Sequence, residues 1–141
     1  MSARPTPSRR TVLRGVALTP AAGLGIAACS PGPDRATRAL PTAPVELGAE
    51  GEVAEGGAKL YAEHNVVVGR AEDGTLKAYS TICTHAQCAA NKLEGTRLIC
   101  PCHGSEFDVV TGEAVVPPAT QPLQELPVKA EGGRIIAGPV A

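Results

Sequence analysis

The chain has 141 residues, with 13 Lys+Arg against 14 Asp+Glu, 5 Cys, 3 His and three aromatic residues, Tyr61, Tyr79 and Phe107. That length is one modest domain, and with 43% hydrophobic residues and so few aromatics its core must be Val, Ile, Leu and Ala, which argues against disorder along the whole chain. Residues 1–28 hold four Arg and no acid, leaving nine basic against fourteen acidic residues downstream. Such an acidic domain lacks the basic groove and the stacking platform that nucleic acids need, so no nucleic-acid partner is expected.

In chain order, residues 1–28 read as an address rather than as fold: an Arg9-Arg10 pair, a weakly apolar stretch, then small residues up to Cys29. Ser8–Arg14 resembles a twin-arginine export signal. Gly15–Ala28 is Gly/Ala-rich, interrupted by Pro20, and too short to span a bilayer. Ile26-Ala27-Ala28-Cys29 resembles a bacterial lipobox, which implies lipidation of Cys29 and an anchor on the extracytoplasmic face of the plasma membrane. Gly23–Ala28 also fits a GxGxxA dinucleotide pattern, but without the strand, helix and acid that such a site requires. Residues 29–44 form a Pro-rich linker, with Pro31, Pro33, Pro41 and Pro44 stiffening a tether ahead of a domain at 45–141.

Within that domain short β-rich runs alternate with turn signals, and no ten-residue run has helical periodicity; the expected fold is an all-β antiparallel sandwich or barrel. Strands are predicted at Val45–Leu47, Ala58–Tyr61, Val66–Arg70 and Leu76–Ser80, the last two joined through the Asp73-Gly74 hairpin signal. Others are predicted at Arg97–Ile99, Glu106–Val109, Glu113–Val116, Glu125–Lys129 and Arg134–Ala137. Pro117-Pro118-Ala119 can only be loop. His64 reads as a solvated turn residue, and Asp108, Glu125 and Glu131 as solvated faces and turns.

Two segments concentrate the chemistry. Cys83-Thr84-His85-Ala86-Gln87-Cys88 and Cys100-Pro101-Cys102-His103-Gly104-Ser105 hold four of the five Cys and two of the three His. Each follows a predicted strand, so each sits on a loop where the two can converge on one ion or cluster. Thiolate with imidazole suits zinc or iron–sulfur chemistry and argues against magnesium or calcium.

CxH in the first box and CxxH in the second resemble the Rieske [2Fe–2S] proteins, and the strings CTHAQC and CPCHGS resemble the bc1-type branch with an extra Cys in each box. The resemblance implies a Rieske-type antiparallel fold with two cluster-binding loops and one [2Fe–2S] cluster per chain. It places one iron on Cys83 and Cys100 and the other on His85 and His103, and implies a Cys88–Cys102 disulfide between the loops. It further implies that Pro117-Pro118 shields the cluster and that the Ser105 hydroxyl bonds a bridging sulfide. Phe107 stands where high-potential members carry a hydrogen-bonding Tyr, which implies a positive potential below theirs.

The chain departs from that branch in two places. His85 to Cys100 encloses fourteen residues, shorter than usual, which is expected to be absorbed by a trimmed loop around Asn91–Gly95. Ala86-Gln87 replaces the usual Leu-Gly, whose Leu contributes to docking at a quinol site. The expected function is therefore a one-electron carrier, freestanding or a small subunit of an extracytoplasmic oxidoreductase, meeting an unidentified redox protein through the His85/His103 tip. A subunit of a quinol–cytochrome c reductase is the alternative, and a structural Cys2His2 zinc domain the second. One spare histidine, His64, is too few for the mononuclear iron site of an oxygenase, and no independent catalytic site is read in the chain.

Overall fold

The computed structural model describes residues 39–139; the export signal expected at residues 1–28, Cys29 and most of the expected linker at 29–44 lie outside the described residues. All regular structure among them is strand, apart from single 3-10 turns at Glu50–Glu52 and Ala62–His64. The eleven strands are β1 (Val45–Ala49), β2 (Ala58–Tyr61), β3 (Val66–Arg70), β4 (Leu76–Ser80), β5 (Lys92–Glu94), β6 (Arg97–Ile99), β7 (Glu106–Asp108), β8 (Ala114–Val116), β9 (Glu125–Leu126), β10 (Val128–Glu131) and β11 (Arg134–Ala137). They form three antiparallel sheets, in the orders β1-β11-β10, β2-β3-β4-β9 and β5-β6-β7-β8.

Strand β3 explains the layering. Val66, Val67, Val68 and Gly69 are all buried, as a strand covered on both faces must be. Because side chains alternate, Val66 and Val68 enter a core shared with Val53, Tyr61, Leu126 and Ile135, whereas Val67 points the other way, into a core with Leu98, Phe107, Val109 and both free cysteines. Gly69 has no substitute, since a Cβ there would meet the Val109 carbonyl oxygen at 2.5 Å.

The expected all-β fold is present, with two corrections. Asn91–Gly95 is not a plain loop: Lys92–Glu94 forms β5 and pairs with β6 through a turn at Gly95, whose φ is 59°. The run expected at Glu125–Lys129 is two strands, because Pro127 has no N–H for a ladder and sits between β9 and β10. Smaller differences trim the neighbouring runs, as Val109 gives its N–H to Thr96 O and Glu113 lies outside β8, next to a register shift in the β7–β8 ladder. At the other end, residues 39–44 lie against the domain, with Asn65 Nδ2 donating to Ala39 O at 2.9 Å.

Candidate metal centre

Both boxes sit where a strand runs out. The first leaves β4 and turns back so that Cys83 N–H donates to Cys88 O at 2.7 Å and Gln87 N–H to Cys83 O at 2.9 Å; an isolated bridge between Ile82 and Ala89 closes its base. Gln87 adopts a left-handed conformation, φ 58°, to make that reversal. The second box is the β6–β7 connection, in which Cys100 N–H donates to Ser105 O at 2.9 Å and Gly104 N–H to Cys100 O at 3.1 Å.

The four candidate ligands divide into two kinds. Cys83 and Cys100 are free thiols, each 1% exposed, inside the core cluster. His85 and His103 are exposed, and their rings meet edge to face with centroids 4.8 Å apart. Cys88 and Cys102 are bonded to one another and join the boxes at their outer ends. The Cys100 sulfur lies within 4.8 Å of both bridge sulfurs, but a disulfide offers no thiolate, so the donors left for a metal are two thiols and two imidazoles.

Burial pushes the Cys100 thiol above its ordinary value and the neighbouring Cys83 thiol pushes it the same way, while the backbone N–H groups of Cys102 and His103, donating to its sulfur, pull it down. Two thiolates packed together in an apolar core need a cation to compensate them, and the amides are already aimed at one of the sulfurs. Two soft anionic donors inside and two neutral nitrogen donors outside fit a binuclear iron–sulfur centre.

A third segment closes over the boxes. After β8 the chain passes Pro117 and Pro118, both exposed, and is stapled to each box in turn. Thr84 Oγ1 donates to Gln121 O at 2.8 Å, and Ala119 N–H donates to the buried Ser105 Oγ at 3.0 Å. Ser105 thus keeps its own O–H proton to give elsewhere. Phe107 is fully buried and pairs with Leu98 across β6–β7, packing as expected. The structure brings together every candidate residue except Cys29, which lies outside it. His64 stays apart, half-buried on its turn, with Nε2 3.9 Å from Glu63 Oε1. Thr84, Ala119 and Gln121 were not singled out by motif reasoning, because their roles are contacts across 14 or 37 positions that no local pattern marks.

Matches to known proteins agree with this geometry. The profile of the Rieske [2Fe–2S] domain matches residues 43–127, and the chain belongs to that family. It is 41% identical over 66 residues to the ferredoxin component of the naphthalene 1,2-dioxygenase system of Pseudomonas aeruginosa, a match covering 45% of this chain and 64% of that protein. It is 34% identical over 93 residues to the cytochrome b6-f complex iron-sulfur subunit of Chlorobaculum thiosulfatiphilum, covering 64% and 50%. The chain therefore spans less than two thirds of these curated relatives. Among solved structures, the Sphingomonas yanoikuyae B1 ferredoxin is similar at 27% identity and a TM-score of 0.50, over 69% of this chain and 100% of that one. The cofactor of this family is a [2Fe–2S] cluster, which decides against the zinc alternative that the donor set alone left open.

Proposed function

We propose that the protein is a one-electron carrier in which Cys83 and Cys100 hold the inner iron of a [2Fe–2S] cluster and His85 and His103 the outer one. The observation that carries this reading is the division within one site: two free thiols at 1% exposure and two exposed imidazoles 4.8 Å apart. Bound there, the cluster supplies reversible transfer of one electron, within the family's span of about −150 to +300 mV. The chain's own part is to keep thiolates away from water and imidazoles at the surface, so that an electron has a short way out. The disulfide and the two staples hold the three loops in one geometry, which keeps reorganisation small on each transfer. Ser105 has a hydroxyl proton available for a bridging sulfide, and Phe107 has none to give a ligand sulfur.

The test is electron paramagnetic resonance of the dithionite-reduced protein, with iron and sulfide measured on the same sample. A rhombic signal of mixed sulfur–nitrogen ligation with about two iron per chain is expected. A colourless, silent, zinc-containing protein would defeat the reading.

We also propose that the carrier works outside the cytoplasm, anchored by a lipid on Cys29. Support comes from the order Arg pair, weakly apolar stretch, small residues, Cys in residues 8–29. A cluster inserted before export suits a route that carries folded proteins, and a disulfide persists best in an oxidising compartment. Membrane-associated protein should show a lipid mass shift that disappears in Cys29→Ala; unchanged mass and unchanged membrane binding in the variant would refute the anchor.

A further inference from the structure

Of the four cysteines in the metal centre, two are ligands and two form the bridge, yet the pairs are not kept apart: the sulfurs of Cys88, Cys100 and Cys102 all lie within 4.8 Å of one another. A thiol that close to a disulfide is a nucleophile in place. Cys100 is 1% exposed and shares a core with Cys83, Cys88 is half-buried and packs against that same core, and Cys102 is exposed. A bridge from Cys88 can therefore close inward onto Cys100 as well as outward onto Cys102. The inward bridge would span 12 positions instead of 14, so loop closure favours neither. Burial does favour one: with no metal bound, the outward bridge leaves two S–H groups in an apolar core, whereas the inward bridge leaves one there and one in water.

We propose that Cys100 carries a built-in thiol–disulfide exchange: in a chain that has lost its cluster it takes Cys88 from Cys102, which closes the centre and puts a free thiol at the surface. The inference rests on the cluster reading above for what occupies Cys100 beforehand. In the step, the Cys100 sulfur leaves its proton to water and attacks the Cys88 sulfur. The Cys88–Cys102 bond breaks, its electron pair stays on Cys102, and Cys102 takes up a proton. One disulfide and two thiols stand on each side of the step, so no oxidant or reductant is consumed. Cys88 is the sulfur attacked, because a Cys100–Cys102 bridge would have to close across Pro101 alone, whose ring fixes its φ. While iron holds the Cys100 sulfur, the exchange has no nucleophile. Cluster loss is then not simply reversed, since Cys100 becomes a ligand again only after an external thiol reopens the new bridge. The same event creates a modification site at Cys102, open to small disulfides and thiol-reactive electrophiles in cluster-free chains alone.

The experiment takes the full chain with Cys29→Ala, so that the site holds every remaining cysteine, isolates it with its metal, and strips the metal with a chelator under argon. Samples are alkylated with iodoacetamide at intervals, and peptide mass spectrometry reads which sulfurs carry the label and which are paired. Over minutes to hours, the span of uncatalysed disulfide rearrangement, the label should pass from Cys100 to Cys102 while the number of bridges stays at one. A Cys88–Cys102 bridge that persists beyond that span would overturn the proposal. A second bridge between Cys83 and Cys100 would overturn it too, because those thiols would have been oxidised rather than exchanged, and so would the loss of every bridge, which would assign the opening to released sulfide. Two variants made without a cluster remove iron and sulfide from the question. Folded Cys83→Ser should carry Cys88–Cys100 with Cys102 labelled, and folded Cys100→Ser should keep Cys88–Cys102; the opposite pairing in Cys83→Ser would refute the exchange. Protected amides in β3 report folding, and if either variant fails to fold the stripped chain decides. A chain isolated colourless and with zinc would defeat the carrier reading, and the exchange would still stand or fall on the same map once the zinc was removed.

Discussion

The sheet β2-β3-β4-β9 and the sheet β5-β6-β7-β8 have four strands each but are held by different means. In the first, β3 and β4 are five residues long and pair at five positions, and β3 is buried on both faces by three consecutive valines. In the second, every strand has three residues, and the chain between strands is fixed by a disulfide, two side-chain staples and two thiols in the core. Area buried holds the body, and specific bonds hold the site. A three-residue strand cannot bury enough to order itself, so cofactor and bridge contribute to folding in that half as well as to function.

The largest expected effect joins the two means of support. Phe107→Ala removes the biggest fully buried side chain, on β7, and should cost about 4 kcal/mol. Ile135→Ala, buried in the other core on β11, should cost about 3 kcal/mol. The pair breaks the comparison if the resonance spectrum of the surviving folded protein is altered equally in both, because only Phe107 shares a core with Cys83 and Cys100.

Opening the disulfide comes next. The bridge spans 14 positions, for which loop closure is worth about 3 kcal/mol. Cys88→Ser with Cys102→Ser should lower the denaturation midpoint accordingly and raise amide hydrogen exchange in 83–105. The amides of β3 should stay protected until global unfolding. Uniform loss of protection would show that the two halves are one cooperative unit.

The same contrast explains what could be read in advance. The valine run of Val66–Arg70, and Leu76–Ser80 joined to it through the Asp73-Gly74 turn signal, were legible because their pattern is local. So were the boxes, since ligand chemistry requires Cys and His at short spacing. Lys92–Glu94 was not, because two exposed charges around one Leu look like a loop and only the partner strand β6 makes it a strand. Pro127 was passed over inside an otherwise continuous run, although its missing N–H divides it. The staples were illegible in principle: Ser105 was chosen for a bond to sulfide, but its acceptance of the Ala119 N–H depends on how the proline loop folds back.

That staple gives a smaller, sharper test. Ser105→Ala leaves the buried Ala119 N–H without its acceptor and should cost about 2 kcal/mol. It should also lower the reduction potential, through loss of the hydroxyl proton. Stability lost with no change in potential would confine Ser105 to tying down the proline loop.

The smallest expected effect has the opposite sign. Gln87 and Asn65 are the two non-glycine residues in left-handed conformation among the described residues, with φ 58° and 53°. The strain at such a position costs about 1 kcal/mol, and glycine's greater freedom in the unfolded chain takes back about half of any relief. Gln87 is exposed and its loop bond to Cys83 O comes from the backbone, so Gln87→Gly keeps that bond and should stabilise the protein by about 0.5 kcal/mol. Asn65 is buried and its side chain holds Ala39 O, so Asn65→Gly gives up a bond worth about 1 kcal/mol and should come out net destabilising. Denaturant midpoints of the two variants check the signs. In the site half, unlike the body, a strained residue is then kept at the surface at a cost to stability, which is where a side chain serving a partner would stand.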